Sequence, residues 1–140
     1  MKVAILTPHL KAEALDSQHW RLLEPLAFRV TCDEWPEPFE VVVPGGYVTD
    51  FESVPRLLVF AYALIKGRAR RAATGHDFLI DWMRGEVAEP LRPATVPFRP
   101  ARAWIDRFFH AAMVAEGTGF LARNTAYLGV SAYTLFTGGK

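Results

Sequence analysis

The chain has 140 residues, 51% hydrophobic and 22% charged, and a net charge of +1. Length and apolar content predict one folded domain over residues 1–140 with a sizeable core, and exclude global disorder. The near-neutral balance gives no electrostatic case for nucleic acid or a membrane surface, and a single cysteine, Cys32, excludes an intramolecular disulfide and a thiolate zinc cluster.

The N-terminal residues lack the long apolar core and small-residue cleavage site of a signal peptide. No transmembrane segment is expected. Residues 57–65 are apolar but too short to span a bilayer, and Arg123 and Asn124 interrupt the longer apolar run at residues 119–136.

In chain order, residues 3–6 read as a short strand or arm, stopped by Thr7-Pro8. Residues 11–17 are polar and read as a loop or one helical turn. Residues 20–32 read as extended chain. Leu26, Phe28, Val30 and Cys32 alternate with Ala27, Arg29 and Thr31, the period of a half-buried strand, and Pro25 marks an edge or a break between two short strands. Residues 33–38, with two prolines and three acids, read as a turn. Residues 39–43 are β-rich, Pro44-Gly45-Gly46 ends them, and residues 47–49 can add one more short strand.

After residue 50 the period changes. Pro55 suits the first turn of a helix, Ser53 is its candidate N-cap, and residues 57–65 would be a buried helix broken by Gly67. Lys66, Arg68, Arg70 and Arg71 form a basic cluster where positive charge at a helix start is locally unfavourable. Residues 71–83 predict a second helix with Ala72, Ala73, Leu79, Ile80 and Met83 on one face, His76 among them, and Gly85 at its end. Residues 86–100 hold four prolines and read as a long loop. Residues 100–116 predict a third helix with Ile105, Phe108, Phe109, Ala112 and Met113 as its stripe and Gly117 as its cap, and residues 120–136 a fourth, mostly buried helix. The expected class is α+β: a small N-terminal antiparallel sheet (residues 1–50) followed by a bundle of about four helices (residues 51–140).

Polar residues near these apolar faces define a candidate site. His76, Asp77, Asp106 and Asp50 are ionisable groups near expected core faces, where charge is costly unless paired or metal-bound. Two chemistries suit them. His76 can be a general base oriented by Asp106, with Asp77 and Asp50 holding a hard divalent cation such as calcium or magnesium. Alternatively His76 and two carboxylates ligate a transition metal such as zinc. Ser53 as nucleophile is a third option, without the G-x-S-x-G context. The structural alternative is a stabilising network, with Arg102 paired to Asp106 at i,i+4.

Three segments, VPGGYVTDFESVPR from Val43, AATGHD from Ala72 and RAWIDRFF from Arg102, resemble a domain-of-unknown-function family common in tailed phages and prophages. The resemblance covers residues 43 to about 113, and the first motif is the specific one. It places Thr49, Asp50, Ser53, Arg56, His76, Asp77, Arg102 and Asp106 at the family's polar positions. This chain has Glu52 where the family has a small residue and Ile80 where it has an aromatic. The His-Asp pair followed by an Asp on a later helix also resembles, more distantly, the phospholipase A2 arrangement. The resemblance implies a phage-encoded protein of the host cytoplasm or the phage particle. Its partners would be an envelope or small-molecule substrate if it is an enzyme, or other phage structural proteins if it is a virion or assembly component. Nucleic acid ranks last.

Overall fold

The computed structural model describes residues 1–49, 69–87 and 96–137. The helix expected at residues 57–65, its Ser53 cap, and Asp50, Arg56, Lys66 and Arg68 lie outside the described residues, as do positions 88–95 of the long loop.

The architecture is α+β, but with two small sheets in place of one. β1 (Lys2–Ile5), β4 (Leu26–Cys32) and β5 (Trp35–Val43) form an antiparallel sheet in the order β1-β4-β5, and β2 (Ala12–Ala14), β3 (Trp20–Leu22) and β6 (Val48–Thr49) form a second in the order β2-β3-β6. β4 keeps the predicted alternation, burying Leu26, Phe28, Val30 and Cys32. Pro25 lies in the break between β3 and β4, which belong to different sheets. There Thr7 does a carbonyl's work: its Oγ1 accepts from the Ala27 N–H at 2.9 Å and donates to the Pro25 carbonyl at 3.4 Å.

Two strand expectations are corrected. The segment expected as a loop or helical turn at residues 11–17 contains β2, paired to β3 from Ala12↔Leu22 to Ala14↔Trp20. Pairing supplies what this short polar sequence lacks on its own. The turn expected at residues 33–38 shrinks to Asp33 and Glu34, because β5 begins at Trp35, paired with Cys32. Pro36 and Pro38 are tolerated since β5 is an edge strand, and their two-residue spacing removes N–H groups from one side only.

Three helices follow among the described residues: α1 (Arg70–Arg84), α2 (Arg102–Ala115) and α3 (Phe120–Thr137). Gly85 (φ 76°) and Gly117 (φ 80°) adopt the left-handed conformation that ends α1 and follows α2. α1 begins at Ala69, which has no capping side chain. Glu116, at the end of α2, substitutes: its carboxylate accepts from the Arg71 and Ala72 backbone N–H groups at 3.2 and 3.0 Å. The same carboxylate pairs with the Arg71 guanidinium at 3.0 Å, which also donates to the Thr7 and Pro8 carbonyls. The cation at a helix start is thus neutralised in place, and Arg71 joins the exit of β1, the start of α1 and the end of α2.

The core lies between the first sheet and the α1–α2 pair. Phe28 of β4 meets Phe108 of α2 edge-to-face, with centroids 5.2 Å apart. Gly75 of α1 sits against both rings: a Cβ there would stand 2.9 Å from two carbons of Phe28 and 3.0 Å from Phe108. The absent side chain lets α1 settle onto the sheet with His76 next in line.

α3 corrects the expectation of a mostly buried helix. It packs on α2, burying Ala126, but Phe120, Leu121, Leu128, Leu135 and Phe136 are 66–88% exposed. Apolar residues occur all round this helix, so periodicity could not say which face would be covered.

Candidate active site between two helices

Two helices and one strand end converge on the polar cluster. His76 comes from α1, where Gly75 brings the backbone close to the core, and Asp106 comes from the facing side of α2. His76 Nε2 lies 3.1 Å from Asp106 Oδ1, which also accepts from Arg102 Nε at 3.1 Å, one turn earlier on α2. The i,i+4 pair expected from sequence is therefore present, and it is one edge of a three-residue chain. Phe109 covers the imidazole, with ring centroids 4.8 Å apart. On the other side of the ring, His76 Nδ1 faces Asp77 Oδ1 at 3.6 Å, an ion-pair contact longer than a hydrogen bond.

Asp77 is held in turn by Thr49 Oγ1, which donates to its Oδ2 at 3.0 Å. One helical turn on, Asp81 Oδ2 accepts from the Tyr47 hydroxyl at 2.7 Å. The match is geometric. Residues two apart on a strand and four apart on a helix share a face at comparable spacing, so Tyr47 and Thr49 meet Asp81 and Asp77 in register. Tyr47 and Asp81 were not singled out from sequence, although the Asp77–Asp81 interval of four was a legible signal for one shared helical face.

The network is graded from sealed to open. The Asp106 side chain is 3% exposed and that of His76 9%, whereas that of Asp77 is 25% exposed. Solvent therefore reaches the site from the Asp77 side, and Asp106 with Arg102 forms its floor. The structure brings together Thr49, His76, Asp77, Arg102 and Asp106. Asp50, Ser53 and Arg56 lie outside the described residues.

Burial alone pushes His76 towards neutrality and is the largest single influence on it. The hydrogen bonding and charge of Asp106 and Asp77 together outweigh it, and its pKa is raised above 6.5. Asp81 is raised as well, first by burial and then by the charges of Asp77 and Glu86, against the lowering effect of the Tyr47 hydroxyl.

The sign for His76 follows from linkage. A folded pKa above the unfolded one gives a contribution to stability that is complete below about pH 6.5 and is lost as pH rises through the folded pKa. In chelator, the melting temperature of wild type minus that of His76→Gln should therefore shrink as pH rises from 6 towards 9. A difference that grows with pH over that range would contradict the arrangement.

The fit to a metal is limited. Among the described residues, no group of three or more His, Cys, Asp or Glu side chains is placed to hold a metal ion. His76 Nε2 is taken up by Asp106, which leaves Nδ1, 3.6 Å from Asp77 Oδ1, as the one ring nitrogen open to a ligand or a proton. Asp77, the more exposed carboxylate beside His76, is the described residue suited to a hard cation, and it would need oxygen ligands from elsewhere.

The fold and cluster together define an α+β protein with a buried His–Asp pair bridging two helices. Residues 20–130 match the family described as "Protein of unknown function (DUF1353)", and the chain belongs to that family. No curated protein and no solved structure matches it. No helix among the described residues is long and apolar enough to cross a membrane.

Proposed function

We propose that this is a phage-encoded hydrolase in which His76 is the general base and Asp106 its orienting partner. The observation that carries the reading is the 3.1 Å contact from His76 Nε2 to the buried Asp106 carboxylate, beside the more open Asp77 edge. With the proton on Nε2 held by Asp106, the neutral tautomer leaves the Nδ1 lone pair on the side that solvent reaches. A water there can lose a proton to Nδ1 as it attacks an ester or phosphoester, and the resulting imidazolium is stabilised by both carboxylates. Asp77, with Asp50, is the proposed seat of a divalent cation that would polarise the scissile group when bound. Thr49 and Arg102 fix the two carboxylates, and Ser53 and Arg56 are assigned supporting roles by their place in the motif. An envelope component is the substrate class that fits a phage product, and the host cytoplasm or the particle is its proposed location.

The test is turnover of p-nitrophenyl esters, bis-p-nitrophenyl phosphate and phosphatidylglycerol vesicles, each with calcium, magnesium, zinc or chelator. His76→Gln should lower the rate about 10²–10⁴-fold with the fold retained. Absence of turnover on every substrate, or a variant as active as wild type, would sink the hydrolase reading.

A second reading is a virion or assembly component in which the cluster is structural. It is favoured by the carboxylates that flank His76 on both sides of its ring. Its signature would be stoichiometric copy number in purified particles, with His76→Gln changing only the melting temperature.

A further inference from the structure

Arg21, Arg29, Arg71, Arg102 and Arg107 each meet a carboxylate within ion-pair distance. Arg84 and Arg99 do not, and both line one cavity of about 530 Å³ between the end of α1 and residues 96–99. Arg99 Nη2 donates to the Met83 carbonyl at 3.2 Å, which sets its guanidinium beside the backbone next to Arg84. Among the described residues Arg84 makes no hydrogen bond or ion pair, with Asp81 and Glu86 included. Asp81, one turn earlier, feels the charge of Arg84 but holds the Tyr47 hydroxyl instead. Cations near a helix C-terminus also answer its negative end, but here that end is already served. The Asp81 carbonyl accepts from the Glu86 N–H at 2.8 Å, the Trp82 carbonyl from the Gly85 N–H at 3.1 Å, and the Met83 carbonyl from Arg99. Arg84 takes no part in this cap. Two neighbouring cations without a carboxylate between them form a place that an anion stabilises. The rest of the cavity is flat and apolar, with Trp82, Val96, Pro97 and Phe98 in its walls. The Phe98 ring is fixed edge-on against Phe39 and Trp104, with centroids 5.8 and 5.3 Å apart, so that wall is formed in advance.

We propose that this cavity binds a phosphomonoester carried on a flat aromatic body. Two guanidiniums match the charge of a phosphomonoester, about −1.5 to −2 at neutral pH, better than that of a carboxylate, and their N–H forks fit phosphate oxygens in pairs. Arg99 spends one donor on Met83 and keeps the others for a ligand. The aromatic and proline walls suit a ring, which a bare phosphate ion would leave uncovered. The volume falls within the range of roughly 300–1,000 Å³ usual for small-molecule sites. Arg84 stands eight residues beyond His76, about 12 Å along the α1 axis, so this is a second site. The proposal does not depend on the hydrolase reading.

Titration of the full chain, followed by calorimetry and by NMR of the amide and indole N–H groups, tests it. The probes are phenyl phosphate, AMP, inorganic phosphate and benzoate. Phenyl phosphate or AMP should bind about tenfold or more tightly than inorganic phosphate and than benzoate, and should shift the Trp82 indole and Gly85 amide signals. A tighter AMP assigns a nucleoside phosphate, and a tighter phenyl phosphate assigns a phosphoaryl compound such as free phosphotyrosine. Arg84→Ala should weaken binding about tenfold or more at an unchanged melting temperature, because Arg84 has no hydrogen bond or ion pair to lose. Arg84→Lys should recover only part of the loss, since an ammonium keeps the charge without the fork. Arg99→Ala should weaken binding as well. The proposal is overturned if no probe saturates at millimolar concentration, or if inorganic phosphate or benzoate binds as tightly as the ring-bearing phosphates. Binding indifferent to both arginine variants, or shifts centred on Thr49 and Asp77, would overturn it too.

Discussion

Asp106→Ala should destabilise the protein by about 3–5 kcal/mol, the usual cost of removing one partner from a buried charge network. The Asp106 side chain is 3% exposed and its Oδ1 accepts from both Arg102 and His76. Without it, the Arg102 guanidinium, whose side chain is 12% exposed, loses its counter-charge at this contact. His76 can shed its proton, but Arg102 cannot, so most of the loss falls on the arginine. Asp106→Asn separates charge from shape. It keeps an oxygen acceptor in place and should cost less, while the NMR titration of His76 should move to lower pH because one of its two carboxylate neighbours is gone. Urea denaturation measures the first effect, and an Asp106→Ala change under about 1 kcal/mol would show that the network contributes little to stability. Should Asp106→Asn fold well yet lose turnover, orientation of His76 rather than stability is its main role.

Gly75→Ala should also destabilise, against the direction helix propensity gives. In an exposed helix the change would stabilise by about 1 kcal/mol. Here the new methyl would sit 2.9 Å from two carbons of Phe28, closer than real Cβ atoms essentially ever come, and 3.0 Å from Phe108, at the tight end of real contacts. Both rings are fully buried and locked edge-to-face, so neither can yield without disturbing the sheet or α2. Overpacking of this kind costs about 1–3 kcal/mol, and a net loss of about 1 kcal/mol is expected after the propensity gain of about 1 kcal/mol. Since Gly75 precedes His76, a displaced α1 would also lengthen the His76–Asp106 contact. Phe28→Leu in the Gly75→Ala background should recover part of the loss by making room. Chemical denaturation of the single and double variants decides it, and a Gly75→Ala protein more stable than wild type would contradict the packing.

Much of this architecture is local chemistry and was legible in the residue order. The alternation from Leu26 to Cys32 identifies a half-buried strand, since period two follows from backbone pleating alone. The apolar spacing of α1 and α2 and the glycines at 85 and 117 mark helices and their ends, because helical period and left-handed caps are properties of short segments. His76, Asp77 and Asp106 were identifiable as candidates because charge on an apolar face needs a partner, and Arg102–Asp106 because i,i+4 neighbours touch.

Tertiary structure decided what depends on distant partners. Whether residues 12–14 form a strand depended on residues 20–22, and whether Pro36 and Pro38 could enter β5 depended on its being an edge. Glu116 caps α1 from 44 residues away in sequence, so no local capping signal at Ala69 existed to be read. Tyr47 finds Asp81 only because a strand end lies along a helix face. The exposure of α3 belongs here too. Its composition determined that it would be an apolar helix, and the placement of α2 determined the face on which Ala126 is buried. Pattern along a chain specifies period and local geometry, whereas burial and pairing are set by which surfaces meet, and that is fixed only when the whole chain has packed.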